Sequence, residues 1–218
     1  TNARYSDANS DYGYAYIAST PTDGSTIAGR SFFGNDSNSE QFVINSNLLY
    51  EASFEQVESR SLVGVEYNKF DTDNLIFFGD APSIDWTDPV FSGPPSFVPL
   101  IETRRTEQKT KAIYAQQELT FSDKLIATVG LRNDWFDLEQ EGLSAFTGSL
   151  GGQADVSEFT KRVGLTYKIT DELATYVSYA ESVAPPVVGV TPESGEQYEI
   201  GVKYRPEAFP ALFSAAIY

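Results

Sequence analysis

Hydrophobic and polar residues alternate most regularly between Ala112 and Phe136. In the first half of this stretch Ile113, Ala115, Leu119 and Phe121 share one face, broken only by Gln117, while Tyr114, Gln116, Glu118 and Thr120 share the other. After Ser122-Asp123-Lys124 the second half sets Leu125, Ala127, Val129 and Leu131 against Thr128, Gly130, Arg132 and Asp134. A period of two marks a strand whose faces meet different surroundings, so the stretch predicts a hairpin. The same alternation predicts strands over Phe42–Phe54, Val63–Asn68, Val163–Ile169, Leu173–Tyr179 and Tyr198–Arg205, and a ninth strand begins in LFSAAIY. Ala3–Ala18, with Tyr12, Tyr14 and Tyr16 spaced two apart, also reads as extended.

The segments between these strands differ in kind. Short polar links are expected at Glu55–Ser59, Ser122–Lys124, Thr170–Glu172 and Pro206–Pro210. Long loops are expected over Ser19–Asn38, Asp71–Thr103, Gly142–Ser157 and Val183–Gly195, the second of them carrying five prolines. Long and short connections alternate, which predicts an all-β fold: an antiparallel up-and-down transmembrane β-barrel with short turns at one rim and long loops at the other. The chain would supply about nine strands of a larger barrel. Greek-key sandwiches mix connection lengths, and a β-helix would show a fixed repeat, which is absent.

Composition then narrows the function. The aromatic share is 14%, with 13 Tyr and 15 Phe, as expected where rings line membrane interfaces. A net charge of −16 speaks against a nucleic-acid partner. With no Cys and no His the chain lacks thiolate or imidazole metal sites and a serine–histidine pair, so no enzyme chemistry of those kinds is expected. Asp7, Asn9 and Asp11 have calcium-loop spacing, but Gly13 falls one place late and no Glu stands at the twelfth position of such a loop. No apolar run is long enough for a transmembrane helix. The chain opens and stops within strand-like patterns and reads as an internal segment of a longer protein.

The polar faces carry Glu66, Glu118, Arg132, Asp134, Lys168, Glu199 and Lys203, which a wide lumen holding water or a polar plug tolerates. The apolar faces would meet lipid, with Tyr67, Trp135, Tyr179 and Tyr204 near the aromatic belts. A soluble β-rich binding module, apolar face on a core, and a passive porin-like or structural barrel remain open alternatives.

KTKAIYAQQELTFSDKLIATVGLRNDWFDLE, ATYVSYAESVAPP and GEQYEIGVKYRPE resemble the barrel of TonB-dependent siderophore receptors, nearest to the ferrichrome-type hydroxamate receptors. The resemblance covers most of the chain. It implies a barrel of about 22 strands around an N-terminal plug, in the bacterial outer membrane. Residues 1–218 would form part of one barrel domain, with the plug and the C-terminal strands outside it. The implied function is uptake of an Fe(III)–siderophore, hydroxamate in type, powered through TonB. The implied partners are the ferric siderophore, TonB and outer-membrane lipid or lipopolysaccharide. No cofactor of the protein is implied, because the siderophore alone holds the iron.

The resemblance also implies ligand-binding residues. Tyr12-Gly13-Tyr14 stands where the family places a Tyr-Gly-Tyr at a strand head, and Tyr16 continues its face. Phe78-Gly79-Asp80, in the expected long loop, keeps the Phe of a Phe-Gly-Tyr but ends in Asp. Trp86 follows in the same loop. Self-packing of the loop is the alternative for Phe78 and Trp86, and an interfacial girdle is the alternative for the three tyrosines. A loop cysteine pair of the family has no counterpart here.

Overall fold

The computed structural model describes residues 1–93, 95–208 and 210–218. Pro94 of the proline-rich stretch and Phe209 of the last turn lie outside the described residues. Ten strands follow in chain order: β1 (Asn2–Ile17), β2 (Ile27–Phe54), β3 (Val57–Asp85), β4 (Leu100–Phe121), β5 (Leu125–Ser144), β6 (Gly148–Ser149), β7 (Gly152–Lys168), β8 (Leu173–Val183), β9 (Ser194–Tyr204) and β10 (Phe213–Ile217). Every pairing is antiparallel, and the sheet order is the chain order, with the two-residue β6 set against the end of β5. The result is an open up-and-down sheet with β1 and β10 at its edges, as expected of a partial barrel.

Register assigns the faces. Ile44, Tyr67 and Lys111 stand in one row, and two residues nearer the short turns Ser46, Val65 and Ile113 stand in the next. Leu131, Ala115 and Val63 share another row, and Val129, Val163 and Tyr179 share one further along. One face therefore carries the alternating apolar positions of every strand. Val63, Val65, Ile113, Val177 and Ile200 are each more than half exposed on it. The sheet is a single layer, and among the described residues no element covers this face. An apolar surface of that extent is stable only against hydrocarbon, which the soluble-module reading does not supply.

The opposite face holds the charges, and they are satisfied locally. Arg132 donates to Asp134 and to Glu66 at 3.0 Å, and its guanidinium lies 5.7 Å from the Tyr114 ring. That ring lies across Gly64, where a Cβ would come within 2.3 Å of it. The short turns are tight because Glu55, Ser122 and Asp123 adopt positive φ. They are tied to one another: Ser122 N–H donates to Gln56 O, Lys168 N–H to Lys124 O, and Arg205 N–H to Glu172 O.

The sequence places the strand ends at this rim within about two residues except at β3, which begins at Val57 inside the expected Glu55–Ser59 link, and it misplaces those at the other rim. β2 begins at Ile27, inside the expected Ser19–Asn38 loop. β3 runs to Asp85 and β4 starts at Leu100, so the expected Asp71–Thr103 loop shrinks to Trp86–Pro99. β5 and β7 likewise absorb most of Gly142–Ser157. The alternation of loop length weakens accordingly, since Ala145–Gly151 is no longer than Arg205–Leu212. The cause is physical. Beyond Tyr67 the apolar face turns polar, with Lys69, Asp71 and Asp73, so both faces meet water and the period of two disappears while pairing continues.

Candidate ligand-binding site

The upper ends of β1, β2 and β3 build an aromatic wall. β1 alternates strictly, so Tyr12, Tyr14 and Tyr16 project from the polar face and Gly13 from the other. Gly13 is required by its neighbour: the Phe32 ring lies over it, 2.4 Å from where a Cβ would stand. Across the sheet Tyr14 is paired with Phe33 and Phe33 with Phe78, one row on one face. The ring centroids of Tyr14 and Phe33 are 5.7 Å apart, Tyr12 and Phe33 6.3 Å, and Tyr14 and Tyr16 6.0 Å, all tilted. Such contacts favour a fixed aromatic surface over independently mobile rings. Tyr12 and Tyr14 nevertheless keep about half their surface exposed, at 49% and 53%.

The wall lies far from the short turns. Phe78 is about 20 residues up β3 from Val57, roughly 50 Å at ~3.3 Å per residue and ~45° tilt, well past an apolar band about 25 Å tall. Facing away from the apolar surface and standing above it, Tyr12, Tyr14 and Tyr16 do not form an interfacial girdle. Phe78 is a strand residue and not the loop residue expected from sequence: its N–H donates to Pro99 O at 3.1 Å, and Gly79 beside it lies under Pro99. Trp86 does sit in a loop, just past β3, where its N–H donates to Thr26 O. It lines a recess with Ile17, Pro21 and Ala28 and does not join the wall.

Sequence reasoning missed Phe33, Ile76, Glu102 and Arg104. Phe33 lay inside a predicted loop, and only the β1–β2 register brings it to Tyr14. Ile76 follows one row below Phe78 and is paired with Glu102 of β4. Glu102 holds Arg104 in an ion pair of 2.6 Å, with side-chain exposures of 14% and 41%.

Two further features frame the wall. Arg30 is buried and donates to Pro82 O at 2.6 Å and to Ser92 Oγ at 3.2 Å, fastening the 86–99 loop. Asp85, at the end of β3, accepts from the Thr87 hydroxyl and N–H and from Thr26 Oγ1, which hold its carboxyl below its ordinary value. Lower down, on the outward face just above the apolar band, Glu107 is clasped by Lys109 and by Lys69 at 2.7 Å. Those two ammonium groups lower its pKa to about 2.

The family model described as TonB dependent receptor-like, beta-barrel matches residues 1–218. Among curated proteins the chain is 28% identical over 234 residues to the ferrichrome outer membrane transporter/phage receptor of Escherichia coli K12, covering 98% of this chain and 30% of that protein. It is 24% identical over 200 residues to the ferrioxamine B receptor of Salmonella typhimurium LT2, covering 88% and 28%. Among solved structures it superposes on the siderophore receptor PiuA from Acinetobacter baumannii with a TM-score of 0.80 at 20% identity, covering 98% and 36%. It matches the ferric-catecholate import receptor Fiu from E. coli K12 with a TM-score of 0.79 at 20% identity, covering 98% and 36%. These structural matches show a shared fold, and the chain spans about a third of the length of the proteins it matches.

Proposed function

The chain belongs to the TonB-dependent receptor β-barrel family of the bacterial outer membrane, and on that premise we propose that the protein carrying it imports an Fe(III)–siderophore of the hydroxamate type. Residues 1–218 are wall and upper rim of one barrel domain. A plug, the remaining strands and the region that engages TonB lie elsewhere in the same protein. Outer-membrane lipid, lipopolysaccharide included, meets the apolar face. The role is binding and passage, with no catalysis, and iron enters as cargo inside its siderophore and not as a cofactor of the protein.

One observation carries the reading: a polar-face aromatic wall, Tyr12, Tyr14, Tyr16, Phe33 and Phe78, beside which Arg104 is ion-paired with Glu102 and Arg30 is buried and held by Pro82 O and Ser92 Oγ. A siderophore already fills the ferric coordination shell, so the protein has only to offer shape, apolar contact and hydrogen bonds from Tyr hydroxyls. Hydroxamate groups cancel the ferric charge and leave a neutral complex that such a wall suits. Catecholates leave a strongly anionic complex, whose desolvation calls for free Lys or Arg. The relatives named for ferrichrome and ferrioxamine B support the same ligand class.

The test is uptake of radioactive iron, supplied as ferrichrome, by iron-starved cells that express the whole receptor as their sole candidate. The expected result is accumulation that stops when TonB is deleted. Accumulation independent of TonB would favour a passive pore, and none with any ferric hydroxamate would remove the proposal.

A further inference from the structure

Glu102 and Arg104 stand where a ligand on the aromatic wall would end. Tyr12, Asn35, Ile76 and Glu102 form one row across β1 to β4, and Ser10, Ser37, Asn74 and Arg104 form the row below. Phe78 is therefore the diagonal neighbour of Glu102, at about 7–8 Å for such positions, and Tyr12 lies three strand spacings away, roughly 14 Å. Those spans match the width of a compact ferric siderophore. A complex resting on Phe33, Ile76 and Phe78 would have tyrosines at one side and this ion pair at the other.

The pair is set to be electrically silent yet chemically available. The Arg104 guanidinium lies 2.6 Å from Glu102 Oε1 as an ion pair without hydrogen-bond geometry, and Arg104 keeps 41% of its side chain exposed. Its Nε is buried without a hydrogen-bond partner among the described residues. A buried donor left unsatisfied is costly and calls for an acceptor. Gly142, opposite Arg104 on β5, lets the two strands close at this row: a Cβ there would lie 3.1 Å from Arg104 Cα and 2.3 Å from Thr103 O.

We infer that Glu102 sets the charge selectivity of the site by neutralising Arg104, so that the guanidinium offers hydrogen bonds to a neutral ferric complex but no net positive charge to an anionic one. The inference rests on the siderophore reading above and assigns a specificity role to two residues of β4. Removing the carboxylate unmasks one cation beside the bound ligand, and an unscreened positive charge at that range attracts a multiply charged anion strongly.

The experiment is a fluorescence titration of the purified full-length receptor with two probes, ferrichrome and a ferric tris-catecholate. The wild type binds ferrichrome more tightly. Glu102→Gln should strengthen tris-catecholate binding about tenfold while changing ferrichrome little, an effect of the size one added ion pair supplies. Glu102→Asp, which keeps the charge, should leave the wild-type ratio, and adding Arg104→Gln to Glu102→Gln should abolish the gain. An unchanged ratio in Glu102→Gln, with ferrichrome still bound, overturns the inference and leaves the functional proposal standing. A wild-type receptor that binds neither probe overturns both.

Discussion

Under the proposed function Tyr14 is the residue through which the wall acts, because it contacts Tyr16 and Phe33 and still exposes about half its surface. In the full receptor Tyr14→Ala should weaken ferrichrome binding about tenfold, the worth of one aromatic contact plus its buried area, without lowering the yield of folded barrel. Equal affinity in a binding titration would return Tyr14 to a passive role. At Glu107 the side chains of Lys109 and Lys69 hold the carboxyl down at about 2, below its ordinary 4.5. A depressed carboxyl stabilises the fold above its unfolded pKa and ceases to do so as pH falls through the folded one. The barrel should therefore lose stability between about pH 4.5 and 2, and Glu107→Gln should flatten that decline in thermal melts taken across the window. A Glu107→Gln melt with the wild-type slope would mean the cluster contributes nothing.

At the scale of the strand, facing decides what a substitution does. Val129 projects from the apolar face in the row of Val163 and Tyr179, about six residues above its turn and so near the middle of the hydrocarbon. Val129→Arg should cost about 2–4 kcal/mol in assembly into lipid vesicles. Thr128→Arg should be nearly neutral, since Thr128 faces the lumen between Glu118 and Gly164, and the space above Gly164 is open. Equal costs for the two would refute the facing. These membrane-spanning parts were legible in the sequence because lipid on one side and water on the other impose alternation on every strand. The upper strands were not. In Asp71-Thr72-Asp73-Asn74 both faces are polar, and pairing to Glu107–Arg104 holds the strand without leaving a pattern. Hence Phe78, which the resemblance implies as a ligand residue of a loop, stands in β3, and Phe33 carries no signal of its own in the sequence. Glu102 and Arg104 carry no local signal, since their positions depend on the β3–β4 register past a bulge at Ile76/Phe77.

At the scale of the whole molecule, the chain is a sector of wall whose outer surface is made for lipid and whose inner surface changes with height. At mid-height it holds self-satisfied charges around Arg132, and at the top it holds aromatic rings with a neutralised ion pair beside them. Under the proposed function that ordering puts ligand capture at the outer end and leaves the lower lumen as a polar surface. The chain contributes no cysteine, so a single thiol can be placed on the wall without interference from its own residues. The most direct measurement is the labelling of Tyr14→Cys in the full-length receptor on intact cells by a membrane-impermeant maleimide, with and without ferrichrome. The account predicts rapid labelling from outside that saturating ferrichrome blocks. Labelling that proceeds equally with and without the ferric ligand would contradict it.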